Sequence, residues 1–437
     1  MNLLKITLFT IAISFSISGI AQQNQSYALV GVQMFNGQGE DLTDMIILIA
    51  EGEILDIFKN GSKTIPDSFQ KIELKDHYVI PGLIDTHVHM GQKALSISPE
   101  ASRKEFRKWI YSGVTAVRDM GGDGRALDRE NQRIQNHLQP GPDIYFSATV
   151  ASTDQISKDL RIKRTTEGIE IENSGYVLEA KDGMNIQKKV AQAVSRGATG
   201  IKFYAGIKSD LIQKIVQEAQ RQGLKTWSHF TVFPDRPLEV IKAGVEVVSH
   251  VWGAFWQDPS LDPSLKIPFT DTAFENASSV IIPSNYTELN PSSPELQNLF
   301  QEMKKRDVIW DLTYTIRNKE LQSVYREFIL EGKNAGITFS TGTDFFNDIS
   351  EPFPSLYEEI FNLVNDGILS PREAVEAATL HGARTLGLEN THGTLEIGKK
   401  ANLVVLKKNP IHQIENLKEI EFTMKNGDIF SRENYLN

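Results

Sequence analysis

Strand-like and helix-like segments alternate through most of the chain, and this alternation limits the possible folds more than any other feature. The strand-like segments are eight runs of mainly apolar residues, at 79–90, 114–120, 143–150, 200–205, 225–230, 246–251, 308–314 and 337–344. Amphipathic segments lie between several of them, at 103–111, 186–196, 210–221 and 355–365. Parallel strands need helical crossovers of this kind, and eight such units close into a barrel. We therefore predict an α/β fold with a (β/α)8 TIM barrel over residues 81–392.

The two ends of the chain instead read as short strands joined by tight turns. Apolar or alternating runs at 27–35, 45–50 and 54–58 are separated by Asn-Gly and Glu-Gly pairs, and similar runs recur at 402–406 and 422–424. A chain of 437 residues also exceeds what one compact core usually fills. We predict a small β-sandwich domain built from both ends, residues 22–80 and 393–437.

Residues 253–300 do not fit the alternation, because they are rich in Pro, Ser and Asp. A long segment of this kind inside a compact domain usually has a function. We predict that it forms a lid over the mouth of the barrel.

The first residues are typical of a secretory signal peptide. A single positive charge within residues 1–5 precedes an apolar run at 6–17, and small residues lead to a cleavage site after Ala21. The alternative is a membrane anchor, but a spanning helix needs about 20 apolar residues and this run is shorter. We therefore predict a signal peptide over residues 1–21, a periplasmic or secreted protein and no stable membrane anchor.

Composition excludes several classes of site and partner. The chain has no Cys, which removes disulfides, thiol nucleophiles, thiolate zinc sites and iron–sulfur clusters, so any metal must be held by His and carboxylates. Acidic residues outnumber basic ones, 56 to 46, and a net charge of -10 argues against a nucleic-acid partner. We expect a small-molecule substrate and leave a homo-oligomer open.

The first predicted barrel strand ends in a metal-ligand pattern. Asp85, His87 and His89 are spaced by two residues, so all three side chains face one side of the strand. Two imidazoles in this arrangement can bind one metal ion. A lone His-x-His is more often a pair of ordinary core or surface histidines, so the pattern needs support from other strands.

That support comes from three further strand ends. His229, His250 and Asp344 stand at the ends of the predicted fifth, sixth and eighth strands. Barrel active sites lie at the C-terminal ends of the strands, and the chain has only nine His in all. Together these positions predict a metal site at the mouth of the barrel.

Lys202 stands in the fourth predicted strand with apolar neighbours. The ordinary interpretation is a side chain whose stem packs and whose ammonium reaches solvent. Beside two metal ions, however, charge repulsion and burial lower the pKa of a lysine towards the neutral amine. A neutral amine can capture carbon dioxide as a carbamate, an anion able to bridge two metals about 3.5–4 Å apart.

Six segments carry a further pattern: PGLIDTHVH at 81–89, SGVTAVRD at 112–119, GIK at 200–202, GVEVVSH at 244–250, TGTD at 341–344 and GTLEIGKKANLVV at 393–405. Together they closely resemble the amidohydrolase superfamily, and within it the branch of Xaa-Pro-type metal-dependent dipeptidases and imidazolonepropionase-like proteins. The resemblance spans nearly the whole chain after residue 21.

The resemblance implies a binuclear metal site, with zinc as the expected metal. His87 and His89 would hold the more buried ion, His229 and His250 the more exposed one, and carboxylated Lys202 would bridge them. Carbon dioxide or bicarbonate is therefore an expected cofactor. Asp344 would bind metal and act as the catalytic general base and then acid. Substrate-binding residues are not identified.

Three departures from the family pattern limit what can be carried over. The Gly-Gly-His element that often follows the third strand is replaced by TVAST at 149–153, and the Ser-Gly-Gly after the lysine is replaced by AGI at 205–207. The third change, Asn402 in place of Asp, lies away from the chemistry. Because the first two changes touch the pocket, the substrate of a relative is not transferred.

The leading functional hypothesis is hydrolysis of an amide or peptide bond in a dipeptide or an N-acyl amino acid. The first alternative is hydrolysis of a cyclic amide, a lactone or another ester at the same site; deamination is disfavoured because family deaminases generally use one metal without a bridging lysine. The second alternative is a periplasmic binding protein that has lost activity, and the presence of all six ligands argues against it.

Overall fold

Strands alternate with helices along most of the molecule, and strands dominate its two ends. The computed structural model describes residues 25–39, 41–92, 99–265, 283, 285–315, 319–344 and 350–436. The predicted signal peptide at 1–21 lies outside these residues. Within the described ranges, none of the helices combines the length and the apolar character that a membrane span requires.

The bounds of the strands and helices are as follows. The strands are β1 (Tyr27–Phe35), β2 (Asp41–Ala50), β3 (Glu53–Lys59), β4 (Gln70–Glu73), β5 (Tyr78–Pro81), β6 (Leu83–Val88), β7 (Val114–Asp119), β8 (Asp143–Ser152), β9 (Val177–Ala180), β10 (Gly200–Ala205), β11 (Lys225–His229), β12 (Val247–Ser249), β13 (Ile309–Asp311), β14 (Phe339–Ser340), β15 (Leu403–Leu406), β16 (Ile420–Lys425) and β17 (Asp428–Ser431). The helices are α1 (Pro99–Tyr111), α2 (Gly124–Gln135), α3 (Thr153–Lys158), α4 (Leu160–Thr165), α5 (Ile171–Ser174), α6 (Ile186–Ser195), α7 (Ser209–Arg221), α8 (Pro237–Lys242), α9 (Pro294–Lys305), α10 (Lys319–Asn334), α11 (Leu356–Asn365), α12 (Pro371–Ala377), α13 (Leu380–Leu386) and α14 (Glu433–Leu436).

A parallel barrel forms the centre of the molecule and confirms the predicted fold class. Its strands are hydrogen-bonded in the order β6-β7-β8-β10-β11-β12-β13-β14, so each of the eight predicted segments contributes one strand. The first and last strands approach through backbone hydrogen bonds, from the N–H of Thr86 to the carbonyl of Thr341 at 3.1 Å and from the N–H of Asp344 to the carbonyl of His87 at 2.8 Å. The barrel is thus nearly closed at the end where the predicted ligands stand.

Helices cover the barrel through amphipathic faces. On α7, for example, Ile212, Ile215, Val216 and Ala219 are all buried, at the three- and four-residue spacing of one helical face. Burial of such faces against the outer side of the strands is the main favourable contribution to folding. The strands that carry the site are therefore held in place by helices packed on their outer side.

A second sheet joins both ends of the chain, as predicted. Its strand order is β17-β16-β15-β5-β1-β2-β3, with β4 also paired to β1. The link between the two ends is the antiparallel pairing of β15 with β5, in which Leu403 lies opposite Pro81. Alternate residues of β1 pack into separate apolar clusters, Leu29 into one and Ala28 into the other, so both faces of this sheet are covered.

The segment predicted as a lid is partly built into the barrel wall. A 3-10 helix at Val251–Gln257 is buried throughout, and α9 buries Leu296, Leu299 and Phe300. Helix α9 forms because Ser293 caps its N-terminus and Pro294 suits its first turn. Residues 266–282 and 284 lie outside the described residues, and for them the lid stays a prediction.

Candidate metal centre

Five of the six predicted ligands stand at or just after the C-terminal ends of barrel strands, and Lys202 lies within β10. Contacts between neighbouring members join all six into one cluster. The ring centroid of His87 lies 5.2 Å from that of His89 and 4.9 Å from that of His250. The ring centroids of His229 and His250 are also 4.9 Å apart. The Nζ atom of Lys202 lies 3.4 Å from Nε2 of His87.

Asp344 lies against both histidines of the first strand. Its Oδ1 atom is 2.9 Å from Nε2 of His89 and 3.4 Å from Nε2 of His87. One ligand atom from each of these three residues falls within 4.8 Å of the others, which is a spacing that can hold a metal ion. Asp344 has a φ of 52°, a left-handed conformation uncommon outside glycine and frequent at functional sites.

His229 and His250 form the second half of the cluster. The Nδ1 atom of His250 lies 3.7 Å from Oδ2 of Asp344, so this carboxylate faces both halves. The ring of Trp252 stacks on His250 with centroids 5.4 Å apart and an interplanar angle of 14°. Both histidines are buried, which limits competition from solvent.

Burial keeps the histidines in the form that binds metal. It lowers the pKa of His87 and of His229 well below the ordinary value, and the charge of Lys202 lowers both further. Burial likewise lowers the pKa of His250 to about 4. A metal-binding imidazole must be neutral, so these groups are ready to bind at neutral pH.

Lys202 is a buried lysine with an altered pKa. Its side chain is only 1% exposed, and burial lowers its pKa to about 7. A large share of the amine is therefore neutral near pH 7, which is the state that can react with carbon dioxide. The strand places this amine beside Nε2 of His87, at 3.4 Å.

Asp311 is a site residue that the sequence prediction missed. This fully buried carboxylate, at the end of β13, accepts hydrogen bonds from Nδ1 of His87 at 2.8 Å, the guanidinium of Arg118 at 2.9 Å, and the hydroxyls of Thr86 at 2.8 Å and Ser249 at 2.9 Å. Because Nδ1 is held, the opposite nitrogen of His87 faces Lys202 and Asp344. A carboxylate in this position orients a metal-binding histidine and fixes its tautomer.

Asp85 connects the backbone of two segments of the site. The two-residue period of the strand predicted that it lies on the same side as His87 and His89. Its carboxylate accepts hydrogen bonds from the backbone N–H of His87 and of Thr343, both at 3.2 Å, and from the hydroxyl of Thr343 at 3.1 Å. Burial raises the pKa of Asp85 to about 8. These contacts join the first strand to the segment that carries Asp344.

The place after the third strand, where the Gly-Gly-His element is absent, is occupied by helices α3, α4 and α5. Asp159 in this segment accepts a hydrogen bond from the hydroxyl of Tyr204 at 2.7 Å and forms an ion pair with Arg161 at 2.8 Å. The ring of Tyr204 in turn lies 5.0 Å from the ring of His229. An ion pair and a phenol therefore stand beside the second pair of histidines.

The donor set fits a divalent cation. Four imidazoles and one carboxylate are nitrogen and oxygen ligands of the kind that zinc accepts, and His87, His89 and Asp344 have the spacing to hold one ion. The orientation of His87 by Asp311 is an independent sign of a metal-binding role, because such a contact presents one ring nitrogen to the site.

Similarity to known proteins covers the chain unevenly. An imidazolonepropionase of Flavobacterium johnsoniae is 38% identical over 73 residues, which are 17% of this chain and 18% of that protein. Solved structures match over almost the whole chain. A Xaa-Pro dipeptidase with bound methionine has a TM-score of 0.66 at 20% identity, covering 93% of this chain and 100% of its own, and A. niger ochratoxinase has a TM-score of 0.70 at 19% identity, covering 94% and 96%.

The match to a family model is broader than the match to this curated sequence. The chain spans only 18% of the length of the imidazolonepropionase, and the two structures share the fold of this chain. The model of the amidohydrolase family, by contrast, matches residues 78–430, which include the barrel and the strands that return to the small sheet. The chain belongs to the amidohydrolase family.

Proposed function

We propose that this chain is a binuclear metal-dependent hydrolase that cleaves an amide or peptide bond in a small substrate, a dipeptide or an N-acyl amino acid. The observation that carries the proposal is the position of Lys202, whose buried amine lies 3.4 Å from Nε2 of His87 within a cluster of four histidines. The folds shared with a Xaa-Pro dipeptidase and with ochratoxinase support it.

In this proposal the ligands divide into two sets. His87 and His89 hold one ion, His229 and His250 hold the other, and Asp344 faces both sets. Zinc is the expected metal, because it accepts imidazole and carboxylate ligands and keeps open positions in catalytic sites. Two bound ions would lower the pKa of a shared water molecule towards neutrality and polarise the substrate carbonyl.

Lys202 becomes a ligand by reaction with carbon dioxide. The neutral amine attacks the carbon atom, an N–C bond forms as one C=O π bond breaks and its electron pair moves to oxygen, and the nitrogen loses one proton to water, so that the product is an anionic carbamate. A pKa of about 7 makes this reaction accessible near neutral pH, whereas an ordinary lysine would be almost fully charged. The buried carbamate would then offer two oxygen atoms to the site.

Asp344 carries the proton. One of its oxygens contacts Nε2 of His89 at 2.9 Å, and 38% of its side chain remains exposed towards the mouth of the barrel. A carboxylate placed in this way can accept a proton from the attacking water and then deliver it to the leaving amine. This makes Asp344 the general base and then the general acid of the reaction.

A second candidate reaction is hydrolysis of a cyclic amide, with a lactone or other ester as a further variant. The observation that favours it is the 38% identity with an imidazolonepropionase over 73 residues. The same ligands and the same proton carrier would serve either reaction. The pocket walls, where this chain departs from the family pattern, would decide between them.

We also propose that residues 1–21 are a signal peptide and that the mature protein is periplasmic or secreted, with a small molecule as its partner. The apolar run before Ala21 supports this proposal. N-terminal sequencing of the exported protein should begin at Gln22. Recovery of the intact N-terminus from the membrane fraction would contradict it.

The functional test is a substrate screen on protein reconstituted with zinc and bicarbonate. The panel contains dipeptides, N-acyl amino acids, cyclic amides and lactones, and products are identified by mass spectrometry. We expect two metal ions per chain and turnover of the linear amides. Turnover confined to cyclic substrates would favour the second candidate. Clearly fewer than two ions per chain and no turnover would favour a binding protein without activity.

A further inference from the structure

Glu359 is a fully buried carboxylate outside the six predicted ligands, on helix α11. One of its oxygens accepts a hydrogen bond from the backbone N–H of Tyr314 at 2.8 Å. The other accepts hydrogen bonds from the backbone N–H and the hydroxyl of Thr315, both at 2.6 Å. The carboxylate therefore anchors the loop that leaves the seventh barrel strand, at the edge of the metal centre.

Thr313 precedes these anchored residues and has a strained backbone. Its φ is 46°, in the left-handed region that β-branched residues rarely adopt. Such a conformation persists only where the surrounding contacts enforce it, and it is concentrated at functional sites. The hydrogen bonds of Glu359 to the next two residues fix the path of the chain just after Thr313.

The strained residue contacts a predicted ligand. The hydroxyl of Thr313 lies 2.9 Å from Nδ1 of His250. His250 itself has a φ of 76°, and its ring is stacked on Trp252. The ring is stacked on one face, and its Nδ1 atom lies between the hydroxyl of Thr313 and, at 3.7 Å, Oδ2 of Asp344.

We propose that Glu359 is a positioning residue for His250, acting through Thr313. The inference rests on the proposed function, in which His250 holds one of two metal ions. With Nδ1 of His250 donating to Thr313, the ring carries its proton on Nδ1 and keeps the lone pair of Nε2 for the metal. Glu359 enforces this arrangement from outside the barrel, without touching the metal or the substrate.

Two variants test this chain of contacts by zinc titration of metal-free protein against a chelator. Glu359→Gln keeps the size of the side chain but turns an amide N–H2 group towards a donor, and Thr313→Val removes the hydroxyl at nearly constant shape. Each variant should weaken one of the two zinc sites about tenfold or more, because orienting partners have effects of that size on metal affinity. The double variant should lose no more zinc affinity than the single variant with the larger loss, because both substitutions interrupt the same series of contacts.

The chain offers a matched control at the other end of the barrel. Glu246 accepts hydrogen bonds from the backbone N–H of Thr226 at 2.9 Å and from its hydroxyl at 3.0 Å, a pattern close to that of Glu359 with Thr315. Glu246→Gln should keep both zinc affinities. Thr313→Ser, which retains the hydroxyl, should also keep them.

A readout without metal separates this inference from the proposed function. In 15N-labelled metal-free protein, the ring of His250, assigned with His250→Gln, should be protonated on Nδ1 in the wild type and redistributed in Glu359→Gln. If the wild type binds fewer than two zinc ions, the binuclear proposal fails and the tautomer still tests the role of Glu359. An unchanged tautomer in Glu359→Gln, or zinc-affinity losses that add in the double variant, would overturn the inference.

Discussion

The Nδ1 atom of His87 and the Oδ2 atom of Asp311 lie 2.8 Å apart, and both side chains are fully excluded from solvent. The two residues are 224 positions apart in the chain and meet across the barrel interior. Asp311 also pairs with Arg118 at 2.9 Å, so the orientation of His87 depends on an ion pair under the metal centre. Asp311 and Arg118 therefore hold His87 in place, although neither is among the six predicted ligands.

Replacement of Asp311 by Asn should damage this support. The variant keeps the size of the side chain but leaves the buried charge of Arg118 without its carboxylate, which should cost about 3–5 kcal/mol in the free energy of unfolding. Zinc affinity should fall by about 10–100-fold, since His87 loses its orienting partner. Denaturant melts and chelator-competition titrations measure the two effects. Wild-type zinc affinity in a folded variant would show that Asp311 has no part in the site.

Replacement of Lys202 by Ala should remove the bridge between the two halves of the site. We expect loss of at least one metal ion per chain and of activity. A small carboxylate such as formate should restore part of the activity, because it can take the place of the carbamate. Metal content and turnover, with and without formate, are the measurements. Turnover equal to that of the wild type would contradict the role given to Lys202.

Asp344 can be tested for proton transfer separately from metal binding. Asp344→Asn keeps an oxygen that can reach the metals but cannot carry the proton, so kcat should fall by about 10²–10⁴-fold while most of the bound metal is retained. Steady-state kinetics and metal analysis of the same sample give both numbers. Comparable kcat in the variant would assign the proton transfer to another group.

The metal-free protein should lose stability in mild acid. His250 has a folded pKa of about 4, below the ordinary value of about 6.5, and the pKa values of His87 and His229 are also lowered. Between about pH 4 and pH 6.5 these histidines bind protons in the unfolded chain but not in the folded one. The free energy of unfolding therefore decreases as the pH falls from about 6.5 to 4. His250→Gln should flatten this slope in urea melts, and a slope unchanged by the substitution would be inconsistent with a buried neutral His250.

Bound metal should leave over the same acidic range, because protons compete with it for the imidazoles. Activity and metal content should therefore fall together below about pH 6 and be absent at pH 4. The loss should be reversible when zinc is restored at neutral pH. Hydrolysis that persists at pH 4 would argue against ligation by histidine.

The sequence predicted the barrel because each strand has a clear apolar run and a helix or turn on either side. It located five candidate ligands because His and Asp at strand ends stand out against apolar neighbours, and the sixth, Lys202, because a lysine is unusual among the apolar residues of a strand. Asp311 lies in the middle of the seventh predicted segment, 308–314, and is the last residue of the observed strand, so its place at a strand end was not visible from the sequence. Its partners are spread over three other strands, β6, β7 and β12, which only the closed barrel brings together.

Other features depend on three-dimensional contacts that no local pattern encodes. Strand β14 has only two residues, although the apolar run predicted a longer strand, because the chain from Thr341 turns to give hydrogen bonds to the carbonyl of His87. Strand β9 and the short helices α3, α4 and α5 before it were not predicted, because each is too short to show a clear hydrophobic periodicity in the sequence. Glu359 lies on an ordinary amphipathic helix, and its role is visible only through the loop that it anchors.

The most direct test of the binuclear site is a crystal structure of zinc-reconstituted protein with anomalous scattering data at the zinc edge. We predict two zinc peaks about 3.5–4 Å apart, one beside His87 and His89 and the other beside His229 and His250, with additional density continuing from Nζ of Lys202 to both. A single peak, or two peaks with an unmodified Lys202 that touches neither, would contradict the account.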